Sequence, residues 1–185
     1  MTNFQPLLDR NAAFATTGAH AGLAPVPNHQ VFAVTCMDPR VDPAHVLGVG
    51  LGDAIVFRNA GGRVTDAVIR EIAFVGALTE MLFGDEAPTF EVAVIHHTGC
   101  GTAFLADDGF NAAFAERTGI DPDELRLEAV LDPQTSVRAD VAALRASALL
   151  PGHAVVSGHV YDLDTGRVET VVTPGEDPSG RPTST

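Results

Sequence analysis

Phe90-Glu-Val-Ala-Val-Ile-His-His-Thr-Gly-Cys100 is the stretch of sequence that decides the fold. Its first six residues form a mostly apolar run, which is typical of a strand buried inside a parallel sheet. The run leads directly into His97 and Cys100, two side chains that proteins commonly use to bind metal ions. The stretch therefore predicts a buried strand with candidate metal ligands at its carboxyl end.

Two earlier apolar runs have the same character. Residues 31–35 precede Cys36, and residues 53–58 end at Arg58. After the second run, the spacing of apolar residues from 65 to 83 predicts a long amphipathic helix. Strands that alternate with helices favour a parallel sheet, because a crossover connection is needed to bring the next strand into the same direction.

The last third of the sequence predicts a helix followed by two strands. Residues 134–150 have helical spacing, and residues 154–161 and 167–172 are strand-like runs separated by the turn-rich sequence Asp162-Leu-Asp-Thr-Gly166. The predicted fold class is therefore α/β: a mostly parallel central β-sheet flanked by helices, with a C-terminal β-hairpin.

The length of 185 residues suits one domain with one hydrophobic core. We assign residues 29–173 to a single α/β domain that contains the candidate metal ligands. Residues 1–28 are interpreted as an N-terminal arm or helix, whose few apolar residues suit packing on a neighbouring subunit. Residues 174–185 are rich in Pro, Gly, Ser and Thr, and this composition predicts a loose C-terminal tail.

The composition argues against several classes of function. A formal net charge of −13 repels phosphate backbones and anionic lipids, so we expect no nucleic-acid or membrane partner. No apolar run approaches the roughly 18–20 residues that span a bilayer. The N-terminal sequence also lacks the basic and apolar regions of a signal peptide, so the expected location is cytoplasmic. In such a reducing compartment, two cysteines are more often free thiols or metal ligands than a disulfide.

Three candidate ligands are expected to meet at one edge of the sheet. Cys36 and His97 each follow a buried strand, and Cys100 lies three residues beyond His97. Open parallel sheets place their ligand sites at the carboxyl ends of the strands. Two thiolates and one imidazole suit tetrahedral Zn²⁺ and leave its fourth position open, as in catalytic zinc sites. On spacing alone, two buried cysteines and a surface histidine without a metal are an equally good interpretation.

The segment Cys36-Met-Asp-Pro-Arg40 adds two candidate catalytic residues, Asp38 and Arg40. Asp38 could accept a hydrogen bond from a zinc-bound water, and Arg40 could keep that carboxylate ionised and fix its direction. The alternative is an exposed turn with a surface ion pair, which contributes little to stability. His96 and His45 are candidate proton shuttles, although strand alternation points His96 away from His97.

With these motifs in place, the sequence resembles the β-carbonic anhydrases, and its short length resembles their compact branch. The resemblance covers roughly residues 30–172. It rests on four motifs: Cys36-x-Asp38-x-Arg40, Arg58-Asn-Ala-Gly61, His97-x-x-Cys100-Gly101, and Gly158-x-x-Tyr161-Asp162 with Thr165-Gly166.

The resemblance implies a zinc enzyme that reversibly hydrates carbon dioxide to bicarbonate and a proton through a zinc-bound hydroxide. It implies Zn²⁺ as the cofactor and a homodimer or higher even oligomer, with the N-terminal segment wrapped around a partner. The site residues that it implies are the metal ligands Cys36, His97 and Cys100, the catalytic Asp38 and Arg40, and the substrate-binding Arg58, Asn59, Ala60 and Gly61.

Two departures from the family pattern bear on substrate preference. Pro39 replaces the small residue that is usual there and removes a backbone donor, and Gly99 stands where many members have aspartate. One alternative function is therefore hydrolysis of carbonyl sulfide or carbon disulfide on the same fold and metal site. A second alternative is a non-catalytic zinc-binding module, although such a module would not need Asp38 and Arg40.

Overall fold

A five-stranded sheet lies at the centre of the computed structural model, which describes residues 3–175. The strands are β1 (Val31–Cys36), β2 (Ile55–Asn59), β3 (Phe90–His97), β4 (Ala154–Tyr161) and β5 (Val168–Val172), and their spatial order is β2-β1-β3-β4-β5. The first three pairings are parallel, and β4 and β5 pair in antiparallel fashion. The mostly parallel sheet and the C-terminal hairpin predicted from the sequence are confirmed.

Six α-helices occupy the described part of the chain. They are α1 (Gln5–Thr16), α2 (Pro43–Val46), α3 (Asp66–Phe83), α4 (Asp108–Thr118), α5 (Pro122–Glu128) and α6 (Pro133–Ala146). Several begin at a capping side chain: Asp42 accepts a hydrogen bond from the Ala44 N–H, and Asp132 accepts from the first turn of α6. Helix α5 is too short to produce a clear periodic pattern, and the sequence did not predict it.

The main core lies between the sheet and the two longest helices. Val68 and Ile72 of α3 and Val141 and Leu144 of α6 belong to the same buried cluster as the apolar side chains of β1, β3 and β4. Burying each of these aliphatic side chains contributes on the order of 1.5–3 kcal/mol. The apolar face predicted for residues 65–83 therefore packs α3 against the sheet.

Some predicted boundaries shift by a few residues. The third strand continues through His97 instead of ending at residue 95, because its ladder with β4 extends to the pair His97 and Tyr161. Helix α6 ends at Ala146, whereas helical spacing predicted it to residue 150. The predicted loose tail lies outside the described residues from residue 176 onward.

Helix α1 contacts the rest of the chain very little, since none of its residues is buried. Its apolar side chains Leu7, Leu8 and Phe14 are exposed. Among residues 3–175, no helix combines the length and the apolar character that crossing a membrane requires.

Candidate metal centre

The sheet brings the three candidate ligands together. Cys36 ends β1, His97 ends β3, and these adjacent parallel strands finish at the same edge. Cys100 returns to that edge after a short turn, and its sulfur lies 3.9 Å from the Cys36 sulfur. One ligand atom from each residue lies within 4.8 Å of the others, and all three residues are at most 5% exposed. This group could hold a single metal ion.

The imidazole of His97 is oriented for a ligand role. Its Nδ1 lies 2.8 Å from the Thr98 carbonyl oxygen, which fixes Nδ1 as the protonated nitrogen and leaves the lone pair on Nε2. Within the described part of the chain, the buried Nε2 has no hydrogen-bond partner. An unsatisfied buried polar atom is costly, and a metal ion held with the two sulfurs would satisfy this one.

The surroundings of the two sulfurs favour a thiolate at Cys100, the form that metal binding requires. The hydrogen bond between the sulfurs lowers the pKa of Cys100 and raises the pKa of Cys36. The Thr102 hydroxyl lies 3.2 Å from the Cys100 sulfur, and the Asp38 N–H lies 3.4 Å from the Cys36 sulfur. Two sulfurs and one imidazole nitrogen at these distances form a donor set that fits zinc.

Asp38 and Arg40 form a bidentate ion pair beside the ligands. Arg40 Nε lies 3.0 Å from Asp38 Oδ1, and Nη2 lies 2.6 Å from Oδ2. These hydrogen bonds lower the pKa of Asp38 to about 2, so the carboxylate stays ionised at physiological pH. Arg40 is itself anchored, because its Nη2 also donates to the Gly99 carbonyl at 3.1 Å. The pair holds Asp38 beside the group of three candidate ligands, and Asp38 is not itself a member of that group.

Pro39 fits this arrangement without disturbing it. Residues Pro39–Val41 form a short 3₁₀ turn, and Pro39 occupies its first position, where no backbone donor is needed. The next N–H, that of Arg40, donates to Asp38 Oδ1 at 2.9 Å. The donor that proline removes is therefore not used within this turn.

Arg58 and Asn59 lie behind the site instead of lining it. Arg58 donates to the carbonyls of Cys36 and Asp38 at 3.0 and 2.7 Å, and to the Asp42 carboxylate at 2.6 Å. The Nδ2 atom of Asn59 donates to the Arg63 carbonyl at 2.8 Å. Both side chains thus support the loops around the ligands.

Ala60 and Gly61 do line a cleft of about 520 Å³ that opens beside Cys36, Asp38 and Cys100. It also has an apolar wall that was not predicted from the sequence. That wall consists of Leu105, Phe110, Phe114, Ile120 and Leu125, and Glu128 lines the cleft as well. The only local signal for it is the Phe110–Phe114 spacing on one face of α4, which does not reveal what the face contacts.

Neither candidate proton shuttle lies in the cleft. His96 is fully buried on the α6 side of β3, where its Nδ1 lies 2.8 Å from Ser136 Oγ. His45 is exposed on α2. No histidine is among the described residues that line the cleft, and the candidate ligand His97 lies next to it through Cys36 and Cys100.

Comparisons with known proteins agree with this geometry. A family model described as carbonic anhydrase matches residues 31–121. β-Carbonic anhydrase 1 of Mycobacterium tuberculosis is 34% identical over 171 residues, which cover 92% of this chain and 99% of that protein. The carbon disulfide hydrolase of Acidithiobacillus thiooxidans is 32% identical over 162 residues, or 76% of each chain.

A solved structure shows that the similarity includes the fold. The crystal structure of carbonic anhydrase from Streptococcus mutans superposes with a TM-score of 0.75 at 37% sequence identity, covering 92% of this chain and 98% of that one. Sequence identity and fold therefore agree over nearly the whole length of both proteins. This chain belongs to the β-carbonic anhydrase family.

Proposed function

We propose that the chain is a zinc enzyme that reversibly hydrates carbon dioxide to bicarbonate and a proton. Cys36, His97 and Cys100 hold the zinc ion. The observation that carries the proposal is the unpartnered, buried Nε2 atom of His97, which faces two sulfurs beside an ionised carboxylate. Kinship with carbonic anhydrases supports the reaction class.

Asp38 and Arg40 have distinct roles in the proposed mechanism. Bound zinc supplies a Lewis acid that lowers the pKa of a coordinated water toward neutrality. Asp38 accepts a hydrogen bond from the attacking water and so directs a lone pair of the water oxygen toward the substrate carbon. Arg40 keeps that carboxylate ionised and oriented through two parallel hydrogen bonds.

The cleft suits a small substrate without a net charge. Ala60 and Gly61 line it beside the candidate ligands, and five further lining side chains are apolar, with Asp38 and Glu128 as the charged ones. We assign substrate contact to Ala60 and Gly61. Arg58 and Asn59 are assigned to holding the loops that carry the ligands, because their hydrogen bonds are directed to backbone carbonyls.

The exposed apolar face of α1 supports assembly into a homodimer or a higher even oligomer. Leu7, Leu8 and Phe14 are exposed and lie on a helix that has no buried residue. Covering such side chains with a second copy would recover their burial energy. Light scattering of the purified protein tests this, and Leu7→Glu with Leu8→Glu should lower the mass, whereas Asn11→Glu on the same helix should not. A monomeric wild type would contradict the assembly.

A second candidate function is hydrolysis of carbonyl sulfide or carbon disulfide. The specific observation in its favour is the apolar wall of the cleft, because carbon disulfide has no charge and no net dipole and its sulfur atoms accept hydrogen bonds only weakly, so apolar contacts suit it. The similarity to carbon disulfide hydrolases supports it as well.

One set of assays separates these functions. Purified protein is analysed for zinc and then assayed with carbon dioxide, carbonyl sulfide and carbon disulfide. We expect one zinc per chain and fast hydration of carbon dioxide, which Asp38→Asn should reduce without loss of zinc. Strong sulfide release with feeble hydration would favour the hydrolase. One zinc per chain with no activity on any gas would favour a non-catalytic zinc-binding module.

A further inference from the structure

A buried polar cluster lies directly behind the metal centre, and the proposed mechanism does not use it. The cluster consists of Asp140 and Ser136 on α6, His96 on β3, and Arg63 in the loop after β2. The Asp140 side chain is only 5% exposed. Since burying a charged group is costly unless it is fully paired, the contacts of this carboxylate indicate what it does.

The Asp140 carboxylate ties together two separate segments. Arg63 donates to its oxygens from Nε at 2.8 Å and from Nη2 at 2.9 Å, and the Val64 N–H donates at 3.0 Å. His96 Nε2 lies 3.2 Å from the same carboxylate. Three kinds of donor therefore converge on one buried anion, and these hydrogen bonds keep the pKa of Asp140 low despite its burial.

The first segment is the loop that packs against the Cys36 ligand. Gly62 has a φ of +68°, and a Cβ atom at this position would lie 2.8 Å from the Cys36 backbone nitrogen. Its carbonyl oxygen lies 3.2 Å from His96 Nε2. Such close approach leaves no room for a side chain between this loop and the backbone of Cys36. Fixing Arg63 and Val64 thus fixes the backbone that packs directly against Cys36.

The second segment is the end of β3, which carries the His97 ligand. His96 immediately precedes His97 and points to the opposite side of the strand, where Ser136 Oγ and the Asp140 carboxylate hold its two ring nitrogens. Both neighbours of Nε2, the carboxylate and the Gly62 carbonyl, are acceptors, so Nε2 carries a proton. Anchoring the His96 ring therefore fixes the backbone position at the end of β3, from which the His97 side chain extends.

We propose that Asp140 is a positioning residue of the metal centre, which holds the Gly61–Val64 loop against Cys36 and holds His96 behind His97. The inference rests on the proposed zinc site. A buried ion pair often contributes no more stability than apolar residues of similar volume would. The buried ion pair instead orients two metal ligands. Residues that hydrogen-bond to metal ligands have this role in other metal sites.

The test compares zinc binding in Asp140→Asn and in the wild type. The substitution preserves volume but places an amide donor against the Arg63 guanidinium. It therefore breaks the hydrogen bonds between Asp140 and Arg63 with little change in packing. We expect the zinc dissociation constant, measured by competition with a chromogenic chelator, to rise by roughly 10–100-fold. The absorption spectrum of the cobalt-substituted protein should also change, because it reports the geometry of the sulfur and nitrogen ligands.

Asp108→Asn is the matched control, since it breaks the ion pair with Arg126 at a side chain that is 94% exposed. Its zinc affinity and cobalt spectrum should equal those of the wild type. If Asp140→Asn does not fold, Arg63→Lys decides in its place, because it keeps the charge but loses the bidentate geometry.

The proposal is overturned if the folded variant binds zinc within twofold of the wild type and has an unchanged cobalt spectrum, even if its melting temperature falls. Both measurements are made without substrate. A wild type that binds zinc but hydrates no carbon dioxide would contradict the proposed function and leave this test intact.

Discussion

The guanidinium of Arg40 meets both carboxylate oxygens of Asp38, with Nε 3.0 Å from Oδ1 and Nη2 2.6 Å from Oδ2. Because the Gly99 carbonyl accepts a further hydrogen bond from Nη2, the arginine cannot rotate without losing contacts on two sides. The direction of Asp38 at the metal centre is therefore set by its neighbour two residues along the chain.

Removing that neighbour should impair turnover more than metal binding. In Arg40→Ala, Asp38 loses both side-chain hydrogen bonds and becomes free to turn toward the ligand group. We expect kcat/KM for carbon dioxide to fall by about 10²-fold, the size of effect typical of losing one preorganised group, with zinc content unchanged. Stopped-flow hydration assays and metal analysis measure both quantities. Arg126→Ala, which removes the ion pair with Asp108 and leaves the Asp38–Arg40 pair intact, is the control and should keep far more activity than Arg40→Ala.

The pH dependence of activity should not arise from Asp38. The hydrogen bond from Arg40 lowers the pKa of Asp38 to about 2, below the ordinary value of about 3.9. The ion pair therefore stabilises the fold above the unfolded pKa, and this contribution is lost as pH falls through the folded value. Between about pH 5 and about pH 9 the charge of Asp38 is constant.

Profiles of kcat/KM against pH for the wild type and Arg40→Ala check this expectation. The acid limb should lie near neutrality in both proteins, where a zinc-bound water would lose its proton, because even without Arg40 the pKa of Asp38 returns only toward its ordinary value of about 3.9. If the wild type instead showed an acid limb near the ordinary carboxylate pKa of about 4 that Asp38→Asn abolished, the role assigned to Arg40 would be wrong.

Zinc should stabilise the folded chain as well as activate it. His97 Nε2 is buried without a partner in the described structure, so the bound ion removes an unsatisfied atom. A free zinc concentration of 100 times the dissociation constant adds about 2.7 kcal/mol to the free energy of unfolding. Calorimetry should therefore show a melting temperature that rises with zinc and falls with chelator.

The control for that experiment is a histidine outside the ligand group. His97→Ala should lose zinc, activity and the zinc-dependent rise in melting temperature together. His45→Ala, on the exposed face of α2, should keep all three. Equal stabilisation of both variants by zinc would place the metal elsewhere.

Gly62 should tolerate no side chain. Gly62→Ala combines a positive φ of +68° with a Cβ 2.8 Å from the Cys36 nitrogen and 2.9 Å from the Thr35 carbonyl carbon. Gly119→Ala has a similar φ of +74° at the end of α4 but meets nothing within 4 Å. We expect a loss of about 1 kcal/mol for Gly119→Ala and a clearly larger loss for Gly62→Ala, since only the latter must displace backbone. Chemical denaturation of both variants measures the difference, and equal losses would contradict the close packing at Cys36.

Much of the fold could be predicted because its signals are local. The apolar runs of β1, β2 and β3 and the helical spacing of residues 65–83 are visible within short windows, and each corresponds to an observed element. Helix α5 was missed because seven residues do not display a helical period. The end of β3 was placed too early, since a strand's length depends on the partner with which it pairs.

The sequence by itself determined that Cys36, His97 and Cys100 meet as a candidate ligand group, because two of them follow strands that a parallel sheet brings to one edge and Cys100 lies three residues beyond His97. It also determined the Asp38–Arg40 pair, whose members are two residues apart. Only the tertiary structure decided that Arg58 and Asn59 face away from the cleft, that α4 and α5 supply its apolar wall, and that Asp140 meets Arg63 across 77 positions. Such contacts depend on how whole elements pack, and packing directions are not encoded in any local pattern of residues.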